Sequence, residues 1–306
     1  MTFYNHDELT NEEYHTLPQV SGSTLSAIYN DCPAAWRYAE RVETKALSEG
    51  TAAHAILLEP ELFRKTYVRA PDIADYKEAL VTTKDLQAHI KKLGIKGASA
   101  KTKSELISIV LSDENPPLVW DVFVKKFEDT HSGKELLAPD VYDRLHLMRQ
   151  TIFNDPVYLE ALTGADVEMS YVDQDADVKA RWDIVTKDGE IWDYKTTTSA
   201  NPEEFGKHAH NYGYWLKMAF QHDVYILAHG EPPRRVVLLA QSKKSPYIPQ
   251  AYEMTGEQLE VGREQYQVAL DQYKRAKELD VWPAYGGGVQ ELPTPEWLIK
   301  KYGMDK

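Results

Sequence analysis

The sequence predicts an α/β fold in which helices flank a mixed central sheet. The first observation is a meander of three short strands between residues 167 and 198, with an Asp-Gly turn at 188–189. Two helical patterns follow between 202 and 229. Two further strands come next, and the first of them, RRVVLLAQS at 234–242, is the nearly continuous apolar run typical of a buried strand. This order of helices and strands indicates an α/β architecture.

The composition is that of a globular intracellular chain. Its 306 residues are enough for one large domain or for a domain with an inserted module, and 42% of them are hydrophobic. The single cysteine, Cys32, excludes an intramolecular disulfide framework and any metal or iron–sulfur site held by several cysteines. No apolar run reaches the length of a membrane span, and the polar start MTFYNHDELT lacks a signal-peptide pattern. We therefore expect a cytoplasmic protein that does not associate with membranes.

The net charge of −13 argues against a protein that binds nucleic acid through a uniformly basic surface. The average hides a local excess of positive charge, because residues 82–112 hold six lysines against only Asp85 and Glu105. A site built from carboxylates would also add negative charge that bound metal ions offset. The charge is therefore compatible with an acidic metal site in a chain that also has a basic segment.

The first part of the chain holds two helix starts and a short buried helix. Ser21 or Ser23 is placed to cap one helix and Pro33 to begin the next, where Arg37 is either an ordinary surface residue or a phosphate contact. Residues 49–60, EGTAAHAILLEP, form a short and largely apolar helix. A lone histidine on such a helix is more often a core residue than a metal ligand, so the helix by itself does not assign His54 to a metal.

An inserted helical module is predicted at residues 75–131, with the main domain formed by residues 1–74 and 132–306. Its central part, residues 82–112, is typical of a helical hairpin in which Gly94 ends the first helix. This hairpin resembles the SAP or helix-extension-helix modules, and the resemblance implies contact with DNA. The charge pattern is equally consistent with a hairpin whose lysines face water. Further helices are predicted at 118–127, 139–153 and 155–162.

The meander carries the residues that predict chemistry. Asp193 and Lys195 lie on one strand as Asp-Tyr-Lys, so their side chains point to the same face, and a hairpin can bring Asp183 beside them. Two carboxylates on adjacent strands can hold a hard divalent cation, which polarises a phosphoryl oxygen and activates water. A neighbouring lysine can orient that water or stabilise negative charge.

The alternative is an ordinary solvated hairpin whose charges face water. A functional site is favoured over it because the three charged residues lie in an apolar frame, formed by Trp182, Ile184, Ile191, Trp192 and Tyr194.

Four segments and one further residue occur in a characteristic order along the chain. They are Glu49-Gly-Thr-Ala-Ala-His54, Leu58-Glu-Pro-Glu-Leu-Phe63, Glu168, Arg181-Trp-Asp183 and Asp193-Tyr-Lys195-Thr-Thr. In this combination they resemble the RecE-type exodeoxyribonucleases of the PD-(D/E)XK nuclease superfamily. The resemblance covers most of the chain outside residues 75–131. It implies a restriction-endonuclease-like core, with a mixed sheet flanked by helices, into which the helical module is inserted.

The resemblance implies metal binding by the side chains of Asp183, Asp193 and His54 and by the backbone carbonyl of Tyr194. The expected ion is Mg²⁺, and a histidine ligand suits a site that also accepts Mn²⁺.

Further catalytic and binding roles are implied for residues around the metal. Lys195 would position the hydrolytic water, Glu168 would contact a second metal or its waters, and Arg181 would hold a phosphate. The family has a Q-x-x-x-Y element on the next helix. Gln221-x-x-x-Tyr225 matches it literally, whereas another alignment places Lys217 at the glutamine position. Both side chains could reach one site, because they are four residues apart on a helix.

The implied reaction is hydrolysis of phosphodiester bonds in linear double-stranded DNA. It would proceed from 5′ to 3′, release mononucleotides and leave a 3′ single strand for homologous recombination. The implied setting is a ring-shaped homo-oligomer in the cytoplasm of a bacterial host, encoded by a phage or prophage and acting beside a single-strand annealing recombinase. Two alternatives are an endonuclease or structure-specific nuclease of the same superfamily, and a DNA-binding protein that has lost catalysis.

Overall fold

The computed structural model describes residues 2–5, 8–40 and 45–303, and these residues form a six-stranded mixed sheet and a separate pair of strands. The strands are β1 (Thr2–Tyr4), β2 (Tyr67–Arg69), β3 (Glu135–Leu137), β4 (Asp166–Asp173), β5 (Val178–Val185), β6 (Ile191–Thr197), β7 (Val236–Ser242) and β8 (Pro249–Glu253).

Helices precede, interrupt and follow these strands. They are α1 (Asn11–Thr16), α2 (Gly22–Asn30), α3 (Pro33–Tyr38), α4 (Lys45–Leu58), α5 (Pro60–Thr66), α6 (Thr83–Lys92), α7 (Lys103–Leu111), α8 (Trp120–Thr130), α9 (Pro139–Phe153), α10 (Pro156–Leu162), α11 (Pro202–Asn211), α12 (Tyr214–His229), α13 (Gly256–Leu279) and α14 (Glu296–Tyr302).

The strand order in the main sheet is β1-β4-β5-β6-β7-β8. Strands β4, β5 and β6 form the antiparallel meander, β7 pairs in parallel with β6, and β8 returns antiparallel to β7. The crossover between the parallel strands β6 and β7 contains α11 and α12, as parallel pairing requires a long connection. The predicted mixed sheet flanked by helices is therefore confirmed.

Separate hydrophobic cores cover the two faces of the sheet. Helices α2, α12 and α13 pack on one face, around Trp182 and Leu216. Helices α4 and α9 pack on the other face, around Trp192. Helix α9 shows why these segments form amphipathic helices, because its buried residues follow the helical spacing of three and four: Val141, Leu145, Met148 and Ile152. The candidate functional site is built mainly on strands β4, β5 and β6, which lie between these two cores.

The helical hairpin α6–α7 has a small core of its own. Leu86 and Ile90 on α6 face Leu106 and Val110 on α7, and Val119 completes the cluster. Each helix begins with a capping box, in which a threonine side chain and an acidic residue three positions later satisfy each other's backbone N–H groups. That residues 75–131 are a module inserted into a nuclease domain stays a prediction.

Trp297 and Tyr302, on α14 near the end of the described residues, are mostly exposed. None of the helices within the described ranges is both long and apolar enough to cross a membrane.

Candidate metal and catalytic site

The site begins where β5 and β6 separate. Their ladder runs from Val185 paired with Ile191 to Ile184 paired with Trp192, and it stops before Asp183. In place of a backbone bond, the Asp183 carboxylate accepts a hydrogen bond of 2.8 Å from the backbone N–H of Tyr194. The carboxylate is therefore fixed in the gap between the two strands.

Glu168 faces this gap from β4 because the strand changes direction there. The register of β4 with β5 is unbroken on both sides, but Glu168 itself has a φ of 50°. Its neighbour Val167 packs on the α4–α9 side of the sheet, whereas Met169 packs on the α12 side. A left-handed residue that is not glycine costs about 1–3 kcal/mol and persists where the surrounding structure demands it, often at functional sites. This backbone kink sets Glu168 opposite Asp183.

Three side chains converge here as a candidate metal site. Within the described ranges, His54, Glu168 and Asp183 each offer one ligand atom, and these atoms all lie within 4.8 Å of one another. His54 reaches the site from α4, and its Nδ1 is 3.6 Å from Asp183 Oδ2. Two carboxylate oxygens and one imidazole nitrogen form a donor set that fits Mn²⁺ and, with added water ligands, Mg²⁺.

The electrostatics of this group favour a cation. Burial raises the pKa of Glu168 to about 8, and the nearby carboxylates of Asp183 and Glu59 add to the effect. Burial also lowers the pKa of His54, which keeps the imidazole neutral and its lone pair free to bind a metal. Closely spaced carboxyl groups repel one another when both are ionised. A divalent cation between them stabilises the ionised forms.

Asp193 and Lys195 form an ion pair at the edge of this group. The Lys195 ammonium is also 3.9 Å from Asp183 Oδ2 and 3.3 Å from the backbone carbonyl oxygen of Tyr194. Burial raises the pKa of Asp193 to about 6. For Lys195, burial opposes the charge, but Asp193 and Asp183 outweigh it and raise the pKa, so the side chain is an ammonium at neutral pH.

The structure thus brings together most of the predicted metal residues, with one difference in arrangement. Glu168 joins His54 and Asp183 in the group of candidate ligand atoms that lie within 4.8 Å of one another, whereas the Asp193 carboxylate forms an ion pair with Lys195. The Tyr194 carbonyl contacts the Lys195 ammonium, and the centre of the Tyr194 ring lies 5.0 Å from that of the His54 ring. The assignment of these groups to one metal or to two stays a prediction.

Arg181 lies beside the site, but its guanidinium already has several partners within the chain. Its Nε donates to Ser170 Oγ at 2.6 Å and its Nη2 donates to the Leu9 carbonyl at 2.7 Å. The guanidinium also lies 4.5 Å from the centre of the Tyr14 ring. Arg181 therefore ties the N-terminal segment to the sheet, and its contact with phosphate stays a prediction.

The remaining residues with predicted roles lie in different places. Arg37 lies over the Trp282 ring at 5.6 Å, and no contact of this residue with the metal group is found in the described part of the chain. Lys217 on α12 is close enough to Asp193 and Lys195 for its charge to act on both. Gln221, one turn later, donates to the Arg181 carbonyl at 3.4 Å, so its amide contacts the backbone of β5.

Two nearby residues were not singled out by the sequence. Glu59 follows α4 and adds a further negative charge near Glu168 and Arg181. The sequence placed it within the segment Leu58-Glu-Pro-Glu-Leu-Phe63 but gave it no role. Tyr214 begins α12, and its ring lies near both the Lys195 and the Lys217 ammonium groups. No sequence motif marked it.

The fold and this group of residues define a domain of the PD-(D/E)XK nuclease superfamily. Residues 30–293 match the family described as a PDDEXK-like domain of unknown function (DUF3799), and the chain belongs to that family. The crystal structure of a "Putative exonuclease" from Eubacterium rectale has the same fold, with a TM-score of 0.57 and 12% identity over 97% of this chain and 99% of that one. Curated proteins give no match.

Proposed function

We propose that this protein is a metal-dependent exodeoxyribonuclease of the RecE type, which degrades linear double-stranded DNA from 5′ to 3′ and leaves a 3′ single strand for recombination. The observation that carries the proposal is the convergence of His54, Glu168 and Asp183 next to the Asp193–Lys195 pair in a PDDEXK-like fold. The structurally similar protein from Eubacterium rectale is named for the same kind of activity, which supports the proposal.

A divalent ion, Mg²⁺ or Mn²⁺, would be held by His54, Glu168 and Asp183, and would supply Lewis acidity towards a phosphoryl oxygen and a bound water. Asp183 is pre-positioned for this role by the backbone N–H of Tyr194. Since nearby carboxylates keep Lys195 protonated, its ammonium donates hydrogen bonds to the attacking water or to a phosphate oxygen. Asp193 holds the ammonium in that position.

The proposal is tested by digestion of an end-labelled linear duplex with Mg²⁺ or Mn²⁺. The parent protein is expected to release labelled mononucleotides when the label is at the 5′ end before it does so from the 3′ end. Asp193→Ala and Lys195→Ala are expected to reduce the rate at least a hundredfold, because they remove a positioned charge from the site. Variants that digest DNA as fast as the parent contradict the site assignment.

Closed circular duplex is the matched substrate, because an exonuclease needs an end. Equal cleavage of circular and linear DNA contradicts the exonuclease and favours the endonuclease. Binding of linear duplex without turnover in either metal contradicts catalysis altogether.

The proposal includes a ring-shaped homo-oligomer that works beside a single-strand annealing recombinase. A ring would allow an acidic outer surface to coexist with a basic channel, which suits a net charge of −13. Light scattering after size-exclusion chromatography measures the assembly directly. A monomer at micromolar concentration, both with and without duplex DNA, contradicts the ring.

A further inference from the structure

A row of aromatic side chains leads from the lysines of the site towards the protein surface. The ring of Tyr214 has its centre 5.7 Å from the Nζ atoms of both Lys195 and Lys217. The Tyr212 ring follows at 6.0 Å, and the His208 ring follows Tyr212 at 5.9 Å. We call Tyr214, Tyr212 and His208 the aromatic row. Tyr212, the middle member of the row, is 59% exposed.

The row is held in place by the sharp turn between α11 and α12. Gly213 separates the two tyrosines and has a φ of +66°, a backbone conformation that residues other than glycine rarely adopt. A Cβ atom at this position would lie only 2.4 Å from Ser26 Oγ, so the turn packs closely against α2. Tyr214 is further supported by the buried Phe205, whose ring is 6.2 Å away. The exposed Tyr212 is thus attached to a rigid base.

Lysines occur near both ends of the aromatic row in a chain that is acidic overall. Lys195 and Lys217 lie at the inner end of the row. At the outer end, Thr197 Oγ1 is 3.5 Å from His208 Nδ1, and the Thr197 carbonyl accepts a hydrogen bond of 2.8 Å from the backbone N–H of Lys243. Lys207 precedes His208 and Lys244 follows Lys243 in the chain, and both are exposed; the exposed Glu204, one helical turn before His208 on α11, adds one negative charge near this end of the row.

Core packing does not account for Tyr212. A tyrosine with more than half of its surface in water gains little from burial, although singly exposed aromatic residues are common. What distinguishes Tyr212 is its position, one ring away from two ammonium groups of the site and directly before Gly213, whose positive φ forms the turn. Aromatic rings interleaved with ammonium groups are the combination that binds single-stranded nucleic acid, because every base has a face that can stack and every nucleotide carries a phosphate.

We propose that the aromatic row stacks an unpaired base of the DNA strand, with Tyr212 as the stacking surface, while a phosphate of that strand lies at Lys195 and Lys217. The inference rests on the proposed function and adds to it a binding site for an unpaired base beside the metal group. Because all bases stack, the row tolerates any sequence and requires only that the base is free of its partner strand.

The first test measures binding of a short fluorescent single-stranded oligodeoxynucleotide to the full-length protein in EDTA, where cleavage is blocked. Tyr212→Ala is expected to weaken binding roughly tenfold or more, and Tyr212→Phe to retain it, because stacking needs the ring and not the hydroxyl. The matched control is Tyr302→Ala, which removes a tyrosine that is 62% exposed on α14 and is expected to bind as the parent does.

An abasic oligonucleotide separates stacking from charge. The parent is expected to bind the abasic strand as weakly as Tyr212→Ala binds the base-containing strand. Tyr212→Ala is expected to bind the two strands equally well. A loss of the same size on the abasic and the base-containing strand overturns the proposal, as does a Tyr212→Ala protein that binds both strands as well as the parent.

The second test needs no variant and therefore does not depend on a substituted protein folding. An oligonucleotide with 2-aminopurine at its end is expected to lose fluorescence on binding to the parent, because stacking on an aromatic ring quenches the base. Unchanged fluorescence of the bound strand overturns the stacking site even if the protein digests DNA. Quenching without digestion supports the stacking site and refutes the nuclease, so the two proposals fail separately.

Discussion

Asp223 clamps α12, the helix that carries Tyr214 and Lys217, to α13. Its Oδ1 accepts a hydrogen bond of 2.7 Å from Arg263 Nη2, and its Oδ2 accepts bonds of 2.7 Å from Arg263 Nε and 2.6 Å from the Tyr266 hydroxyl. Only 24% of the side chain is exposed. Asp223→Asn keeps the shape of the side chain but removes its charge, and its amide cannot accept at both atoms.

The expected loss of stability follows from these contacts. A hydrogen bond to a charged group contributes about 1.5–3 kcal/mol, and removing one partner of a buried pair costs about 3–5 kcal/mol. Since Asp223 and Arg263 remain partly accessible, we expect a loss of about 3 kcal/mol at pH 7. For a chain of this size that corresponds to a fall in Tm of roughly 5 °C.

The loss should depend on pH in a known direction. Burial opposes ionisation of Asp223, but hydrogen bonds from Arg263, His222 and Tyr266 outweigh it and hold its pKa well below the usual range. A lowered pKa in the folded state contributes stability that is complete above the unfolded value of about 3.9 and is lost as the pH falls below it. The difference between parent and variant should therefore shrink by roughly 0.7 kcal/mol between pH 7 and pH 3.5.

Urea unfolding and thermal melting at the two pH values measure both quantities. Glu260→Gln is the matched control, because Glu260 contacts the same arginine at 2.6 Å but is 70% exposed. It should cost less than about 1 kcal/mol, as exposed ion pairs do. The reasoning is refuted if Asp223→Asn melts with the parent at pH 7, or if Glu260→Gln is equally destabilised.

Three further predictions concern the site and the hairpin. Gly213→Ala should lower the free energy of unfolding by about 1–2 kcal/mol, measured in urea, because alanine is strained at positive φ. Mn²⁺ should raise the Tm of the parent but not of Asp183→Asn, which loses a charged ligand; equal shifts in a melting assay contradict the metal site. Leu106→Ala should cost about 2–5 kcal/mol and reduce hydrogen-exchange protection in α6 and α7 while the main sheet stays protected; uniform loss contradicts a separate core.

Local patterns were sufficient for most of the architecture. The helix at 139–153 was predicted with the bounds that the structure shows, and the two helical patterns between 202 and 229 correspond to α11 and α12, because caps and apolar spacing lie within the segments themselves. The meander was predicted for the same reason, since strand alternation and turn residues are local. Helix α5 and strands β1 and β3 were not predicted, because short elements are stabilised mainly by what they pack against.

The site divides in the same way. Asp193 and Lys195 were placed on one face by alternation along a single strand, and the structure shows them in contact. From the sequence, metal roles for His54 and Glu168 were implied only by the family resemblance. Local patterns do not reveal them, because residues from three separate elements meet at this site.

The sequence by itself determined the fold class, the order of the strands in the meander and the placement of Asp193 and Lys195 on one face of a strand. These depend on periodicity and turn chemistry within short segments. Only the tertiary structure decided that Glu168 is turned towards Asp183 by a left-handed residue, that the Arg181 guanidinium binds the N-terminal segment, and that Tyr214 lies between two lysines. Each of these depends on how distant elements pack against one another, and packing is a property of the whole chain.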